Sequence, residues 1–385
     1  AEALLRQENQ PHSPYRLAAV CARRPKTWLK GWGVEFSDCP TMLAQKAGID
    51  MVVECMGGVP MAHEVVGAAL SAGKHVVTAN TALMVSYGHM LQRLAQGNNV
   101  FLGFDAAMGG NLPYRALATN LQQPLEKVDV AYGRGLNRVL ERMHTMAETY
   151  GKALLAVQQE GALDTSGKED FYRQSLLHTA FFGTWNKLNA APSLGLENLR
   201  PEDFALATQL ESTIRVVGTL TPQGITYAPQ VLPQTHPLTN AMADALMLHT
   251  QSSIGTGPMT MTLPPRTIAS TVAALLNDMA AAAHTRTCVA LPQRMELATK
   301  PNTPQYFVRL PITQHLKLRR DTRFGVVEEK TDTRTGMMAV KLNTLLPRSD
   351  LVEILGAEAT ILAMYGTNVL AQAHNNGHNM GRIAA

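Results

Sequence analysis

Two arginines, Arg23 and Arg24, directly follow a short apolar run, Arg16–Ala22. At a turn after a strand, an acidic residue would hold the ribose hydroxyls of NAD, whereas arginine suits the extra phosphate of NADP. The plain alternative is a solvated basic turn. Further on, Gly57 and Gly58 break a second apolar run. Without side chains they let the backbone approach a ligand closely, or simply make a turn. The stretch Thr78-Ala79-Asn80-Thr81 offers hydroxyls and one amide. A threonine hydroxyl hydrogen-bonds but is no base near neutral pH, and Thr81 reads as the cap of the helix that follows. Ser175 and Thr179 lie four apart and so share one helix face, which is neutral. His178 points about 100° away around the same helix, and Lys152 and Lys168 reach that face only if loops rearrange.

These residues need elements to hold them. Arg16–Ala22, Ile49–Met56 and Lys74–Ala79 have the length and apolar character of strands buried on both faces. Thr41–Gly48 and Met61–Ala72 read as helices, the second ended by Gly73. Alternating strands and helices imply a parallel sheet with crossover helices, which binds ligands at the carboxyl ends of its strands. A dinucleotide fold opens with a strand and a glycine-rich turn. Here Ala1–Gln7 reads instead as the end of the helix after that turn, so either residues precede Ala1, the expectation preferred because losing the central strand would leave a hole in the sheet, or the domain has discarded its phosphate-binding loop. From Gly109 the pattern becomes α+β. Helical stretches cover Gly135–Glu148, Phe171–Leu188 and the alanine-rich Thr267–Ala283. Strand-like pieces cover Ile214–Leu220 and Gly224–Val231. Pro301–Pro304 reads as a linker. Strands follow at Tyr306–Pro311 and within Asp321–Leu342, and the tail from Ala373 reads as flexible.

Three segments in order, Val52–Gly58 (VVECMGG), Gly73–Ala82 (GKHVVTANTA) and Phe104–Pro113 (FDAAMGGNLP), resemble homoserine dehydrogenases. Glu197–Pro237 and Thr267–Asp278 extend the likeness, which covers roughly Ala1–Met279. The resemblance implies an α/β protein with three parts. Residues 1–108 would be a Rossmann-like NAD(P)-binding domain with its first strand missing. Residues 109–300 would be an α+β substrate and dimerisation domain, and 305–385 a small α+β unit of ACT-like character. In that unit Leu316–Arg323 stands where a Pro-Gly turn and helix are expected. The implied activity interconverts homoserine and aspartate semialdehyde in amino-acid biosynthesis, toward threonine and methionine. The protein's part is to align substrate and nicotinamide and to tune an acid–base group.

Carried over position by position, the family's substrate lysine falls on Thr81. Its Asn-Gly-Thr turn at the nicotinamide falls on Gly133-Arg134-Gly135, where Arg134 obstructs that site, binds another anion or is merely solvated. The family's glutamate falls on Asp164 and its first aspartate on Asp170. Its second aspartate and second lysine fall on Ser175 and Thr179. Each lost transition-state charge partner costs on the order of 10²–10³-fold in rate. Arg23, Arg24, Gly57, Gly58, Thr78, Asn80 and Arg134 are the candidate cofactor residues, with Asn80 facing the nicotinamide. A Na+ or K+ site of mostly main-chain carbonyls maps to Asp105, Met108, Gly110 and Leu112. Asp105 is one methylene shorter than the family's glutamate there.

The bulk properties exclude other classes. Thirty-four basic against 30 acidic residues leave +4, spread along the chain, and nucleic acid would call for a dense basic stripe. Apolar runs are too short for a membrane span, and no secretion signal opens the chain. Cys21, Cys39, Cys55 and Cys288 have no CxxC spacing, so reduced thiols and a cytoplasmic setting are expected. The partners expected are a small-molecule substrate or nucleotide and a second copy, paired through the second domain. Two functions remain open: an oxidoreductase with a degenerate active site, and a catalytically inactive homologue acting in binding, regulation or assembly.

Overall fold

The computed structural model describes residues 15–24, 32–109, 112–121, 123–161, 164–186, 191–240, 243–250, 257–263, 266–285, 303–356 and 358–366. The helix read over Ala1–Gln7, the tail from Ala373 and Cys288 lie outside these residues. Two compact units result. The first comprises Ala1–Gln122, Ser175–Asn189 and Arg266–Gln293, and the second comprises the remainder.

In the first unit β1 (Ala19–Cys21) and β2 (Glu35–Ser37) pair in parallel, and α1 (Pro40–Gln45) follows. A second parallel sheet has the order β3 (Met51–Glu54), β4 (His75–Thr78), β5 (Leu102–Gly103). Between β3 and β4 runs α2 (Pro60–Ser71). Pro60 sits in its first turn, where a missing N–H costs nothing. Ala62, Val65, Val66, Ala69 and Leu70 are its buried side, the spacing of one helical stripe. Gly73, at φ +71°, ends it. After β4 comes α3 (Thr81–Gly97), then the short α4 (Asp105–Met108) and α5 (Tyr114–Asn120).

The second unit is built on a nine-stranded sheet. Its first half is β6 (Leu125–Ala131), β7 (Ser212–Thr221), β8 (Gly224–Pro233), β9 (Asp244–Thr250) and β10 (Met259–Leu263), with α6 (Leu136–Met146), α7 (Tyr150–Gln159), α8 (Lys168–Phe182) and α9 (Pro201–Gln209) between β6 and β7 in the chain. These strands are antiparallel to their neighbours in this half. The Asn137 amide pins α6 to β7, accepting from Val216 N at 2.8 Å and donating to its carbonyl at 2.9 Å. The helix α8 belongs to this unit up to Gln174 and to the first unit from Ser175 onward.

The chain then returns to the first unit as α10 (Ile268–Thr285), whose Ala274, Leu275 and Met279 pack with Val77 and Ala106. Beyond it, β11 (Gln305–Pro311), α11 (His315–Arg320), β12 (Gly325–Asp332), β13 (Met337–Asn343), α12 (Arg348–Leu355) and β14 (Thr360–Met364) complete the second unit. A helix does follow the first of these strands, contrary to the sequence reading; it is short because Asp321 and a turn stop it. The strand order β14-β11-β13-β12 is that of a split βαβ unit. It is not a separate sheet, because β14 pairs in parallel with β8 and joins all nine strands.

Candidate functional site

The carboxyl ends of β3 and β4 carry a connected set of polar groups. Glu54 closes β3 and is register partner of Thr78, which closes β4. The Thr78 hydroxyl donates to Glu54 Oε2 at 2.6 Å and accepts from Asn80 N at 3.0 Å. Glu54 Oε1 accepts from Met56 N at 2.7 Å. Asn80, not Thr81, caps α3: its Oδ1 accepts from Leu83 N at 3.0 Å. Its Nδ2 donates to the carbonyl of Gly58 at 2.6 Å. Gly57 and Gly58 both adopt left-handed backbone, at φ +72° and +70°, and a Cβ on either would meet nothing within 4 Å. The turn is therefore exposed and open, with its backbone shape held from behind by Asn80. Arg23 and Arg24 are exposed in the turn after β1.

Thr81 is the first residue of α3, nearly fully buried, and its hydroxyl donates to the Ala107 carbonyl at 2.8 Å. Its proton thus serves to tie α3 to α4. On α8, Ser175 and Thr179 are buried. The Thr179 hydroxyl lies 3.1 Å from the Ser175 carbonyl and 3.0 Å from that of Thr184, so it closes its own helix end. His178 is buried against Phe182, with Nδ1 3.0 Å from the Asn186 amide. Lys168 sits over the Tyr172 ring and Lys152 beside Glu148.

Asp105 and Met108 lie buried in α4, while Gly110 is outside the described residues and Leu112 follows half-buried. The Asp105 carboxylate takes the Arg115 Nε at 3.0 Å. Arg115 also reaches Asp278 on α10 at 2.5 Å and the Leu102 carbonyl at 2.8 Å, with its guanidinium over the rings of Phe101 and Phe104. Asp278 in turn accepts from Asp105 N at 2.9 Å. Of the side chain and carbonyls mapped to a monovalent cation, the side chain is thus already engaged by a guanidinium. Burial pushes the Asp278 carboxyl up, with Asp105 adding to it and Arg115 opposing. Among the described residues no group of three or more His, Cys, Asp or Glu could hold a metal ion, and no helix is long and apolar enough to cross a membrane.

In the second unit, Arg134 is exposed in the turn between β6 and α6. Its neighbours are constrained: Gly133 N donates to Asp244 Oδ1 at 2.9 Å, and a Cβ on Gly135 would lie 2.4 Å from the Asp164 carbonyl. Asp164 lies in the turn before α8 and accepts from Ser166 N and from Glu169 N in the helix's first turn, at 2.8 Å each. Asp170 is buried, with Arg173 Nη1 at 3.3 Å. Burial drives its carboxyl up to about 7; Arg173 opposes, while Asp164, Asp244 and Glu169 add to the rise. Burial also raises the Tyr227 phenol, with Asp170 contributing.

Sequence reasoning missed Glu54, Arg115 and Asp278. Glu54 had a local signal, as a lone acid closing an otherwise apolar strand. The other two meet across 163 residues and left none.

Residues 1–104 match the family described as homoserine dehydrogenase, NAD binding domain, and residues 120–280 match that described as homoserine dehydrogenase. The homoserine dehydrogenase of Neisseria gonorrhoeae is 28% identical over 213 residues, 52% of this chain and 49% of that protein. The chain thus spans about half the length of the curated relatives it matches. The crystal structure of a homoserine dehydrogenase from Thiobacillus denitrificans superposes with a TM-score of 0.74 at 20% identity, covering 90% of this chain and 89% of that one. A hyperthermophilic archaeal homoserine dehydrogenase mutant in complex with NADPH gives 0.54 at 21% identity, covering 65% and 76%. At such identities the structural likeness speaks to fold, and the two consecutive sequence matches speak to descent: the chain belongs to the homoserine dehydrogenase family.

Proposed function

We propose that this protein binds NADPH, or NADH more weakly, at the ends of β3 and β4 and that its homoserine-dehydrogenase site is degenerate, so that it acts by binding rather than by turnover. One observation carries the reading: the hydroxyls of Thr81 and Thr179, at the two positions matched to family lysines, are buried and directed at main-chain carbonyls. A hydride transfer between homoserine and aspartate semialdehyde must be accompanied by a proton at the alcohol oxygen. Neither threonine can hold or accept that proton near neutral pH, and Ser175 offers no carboxylate to the substrate ammonium. The nucleotide would supply the hydride when bound. The residues fitted to hold it are Gly57 and Gly58, whose open turn admits a ligand against the backbone, with Thr78 and Asn80 behind them and Arg23 and Arg24 for a ribose phosphate. Residues 1–108 would form the nucleotide part and 109–300 the substrate and pairing part, in a cytoplasmic homo-oligomer. The test is a titration with NADPH and NADH followed by an assay with aspartate semialdehyde. Saturable binding without NADPH oxidation supports the reading; robust turnover overturns it.

A second reading, residual oxidoreductase activity, is favoured by Asp170. Its carboxyl, raised to about 7, can exchange a proton at neutral pH, and it lies on the helix that carries Ser175 and Thr179. Turnover that disappears in Asp170→Asn would support it.

A further inference from the structure

A cavity of about 420 Å³ opens within the second unit, between the turn Leu194–Arg200 and the elements α12 and β14. It includes none of the residues assigned to the nucleotide or substrate. Its ionisable lining is Arg200, Arg309 and Arg348 with Glu197 and Glu358. Arg309, on β11, forms the floor and is only 3% exposed. Its Nε is bound by the Asp203 carboxylate and its Nη2 donates to the Thr360 hydroxyl at 2.5 Å. Asp203 balances its charge, so Arg309 supplies fixed donors rather than a free cation. The guanidiniums open to a ligand are those of Arg200 and Arg348. Arg348, the first residue of α12, is anchored through Nε on the Ile361 carbonyl at 3.0 Å. Among the described residues, neither Arg348 nor Arg200 has a carboxylate within ion-pair distance. Glu197 and Glu358, exposed like the two arginines, offset them in charge without pairing with them, so both guanidinium forks stay open. Leu199 and Ile361 give the cavity apolar wall.

We propose that this cavity binds a small organic anion, with its oxyanion group held by the planar guanidinium forks of Arg348 and Arg200 and its carbon skeleton on Leu199 and Ile361. Guanidinium matches carboxylate and phosphate geometry through two parallel donors, and the volume is that of a small-metabolite site, roughly 300–1,000 Å³. The arrangement does not distinguish carboxylate from phosphate, so the probes do. The full chain is titrated with succinate and, separately, with inorganic phosphate, at ionic strength held constant with sodium chloride, by calorimetry and by thermal unfolding. A ligand of the folded state raises the unfolding midpoint saturably. We expect one probe to do so, succinate marking a carboxylate ligand and phosphate a phosphorylated one. The variant Arg200→Gln/Arg348→Gln gives up the Arg348 bond to the Ile361 carbonyl, so the response of each protein is read against its own anion-free midpoint. The variant's apparent Kd should rise tenfold or more. A response no greater than matched chloride, or a double variant that responds like the parent, overturns the proposal.

Discussion

Asn80 donates from Nδ2 to the carbonyl of Gly58 at 2.6 Å, so the side chain that starts α3 also fixes the glycine turn after β3. The two roles separate by substitution. Asn80→Asp keeps an oxygen for Leu83 N and loses the donor to Gly58; Asn80→Ala loses both. Both variants should bind NADPH at least tenfold more weakly in a fluorescence titration. Only Asn80→Ala should lose cap stability, about 1 kcal/mol in a urea melt. Parent-like affinity in Asn80→Asp would show that the turn needs no brace.

Thr81 is a tie between helices, and its removal should read as one. Thr81→Val deletes the bond to the Ala107 carbonyl and leaves that buried acceptor wanting. A loss of about 1–3 kcal/mol is expected by denaturant unfolding, with NADPH affinity unchanged. Any NADPH-oxidising activity that the parent shows, and that vanishes in this variant, would assign the hydroxyl to chemistry instead.

The Arg115 guanidinium serves two buried carboxylates at once. Arg115→Met strands both. Breaking a buried ion pair from one side typically costs about 3–5 kcal/mol, and the unfolding midpoint should fall accordingly. Arg115→Lys should recover little, because an ammonium cannot reach Asp105, Asp278 and the Leu102 carbonyl together. A mild effect of Arg115→Met would mean that Asp278 is held protonated and needs no cation.

Asp170 gives stability a pH dependence whose sign follows from its raised carboxyl. Below about pH 4 the group is neutral in both the folded and the unfolded chain. Between about pH 4 and about pH 7 the unfolded chain releases the proton and the folded chain retains it. Stability therefore falls as pH rises through that window, by at most about 1.4 kcal/mol per pH unit from this one group, and the loss is complete above it. Asp170→Asn removes the titration, so urea melts at pH 4.5, 6 and 7.5 should show a flatter profile than the parent. Parallel profiles would place the group in the ordinary carboxylate range.

Much of the first unit was legible from its punctuation. Ile49–Met56 is a largely apolar run between Gly48 and Gly57, Lys74–Ala79 follows Gly73, and they contain β3 and β4; Met61–Ala72 differs from α2 by one residue at each end. Short-range pattern sufficed there because a strand covered on both faces has no polar residue to confuse the reading. The exception was instructive. Glu54 sits inside such a run, and only the register that sets it opposite Thr78 explains why a carboxylate is tolerated there. The cap of α3 was read one residue late, since Asn80 and Thr81 are both good capping types and only geometry chooses between them. The Arg115 triad and the place of β14 beside β8 depend on contacts between distant parts of the chain, which local pattern does not encode.

The pairing of β14 with β8 makes the C-terminal strands part of one continuous ladder. A proteolytic nick near residue 303 that let the strands β11–β14 come away would break that ladder. It would bare the Gln230–Val231 end of β8, whose backbone groups could then recruit strands from other molecules. Gene truncation or module shuffling at that point is thereby disfavoured, and limited digestion should yield aggregates rather than two well-behaved fragments.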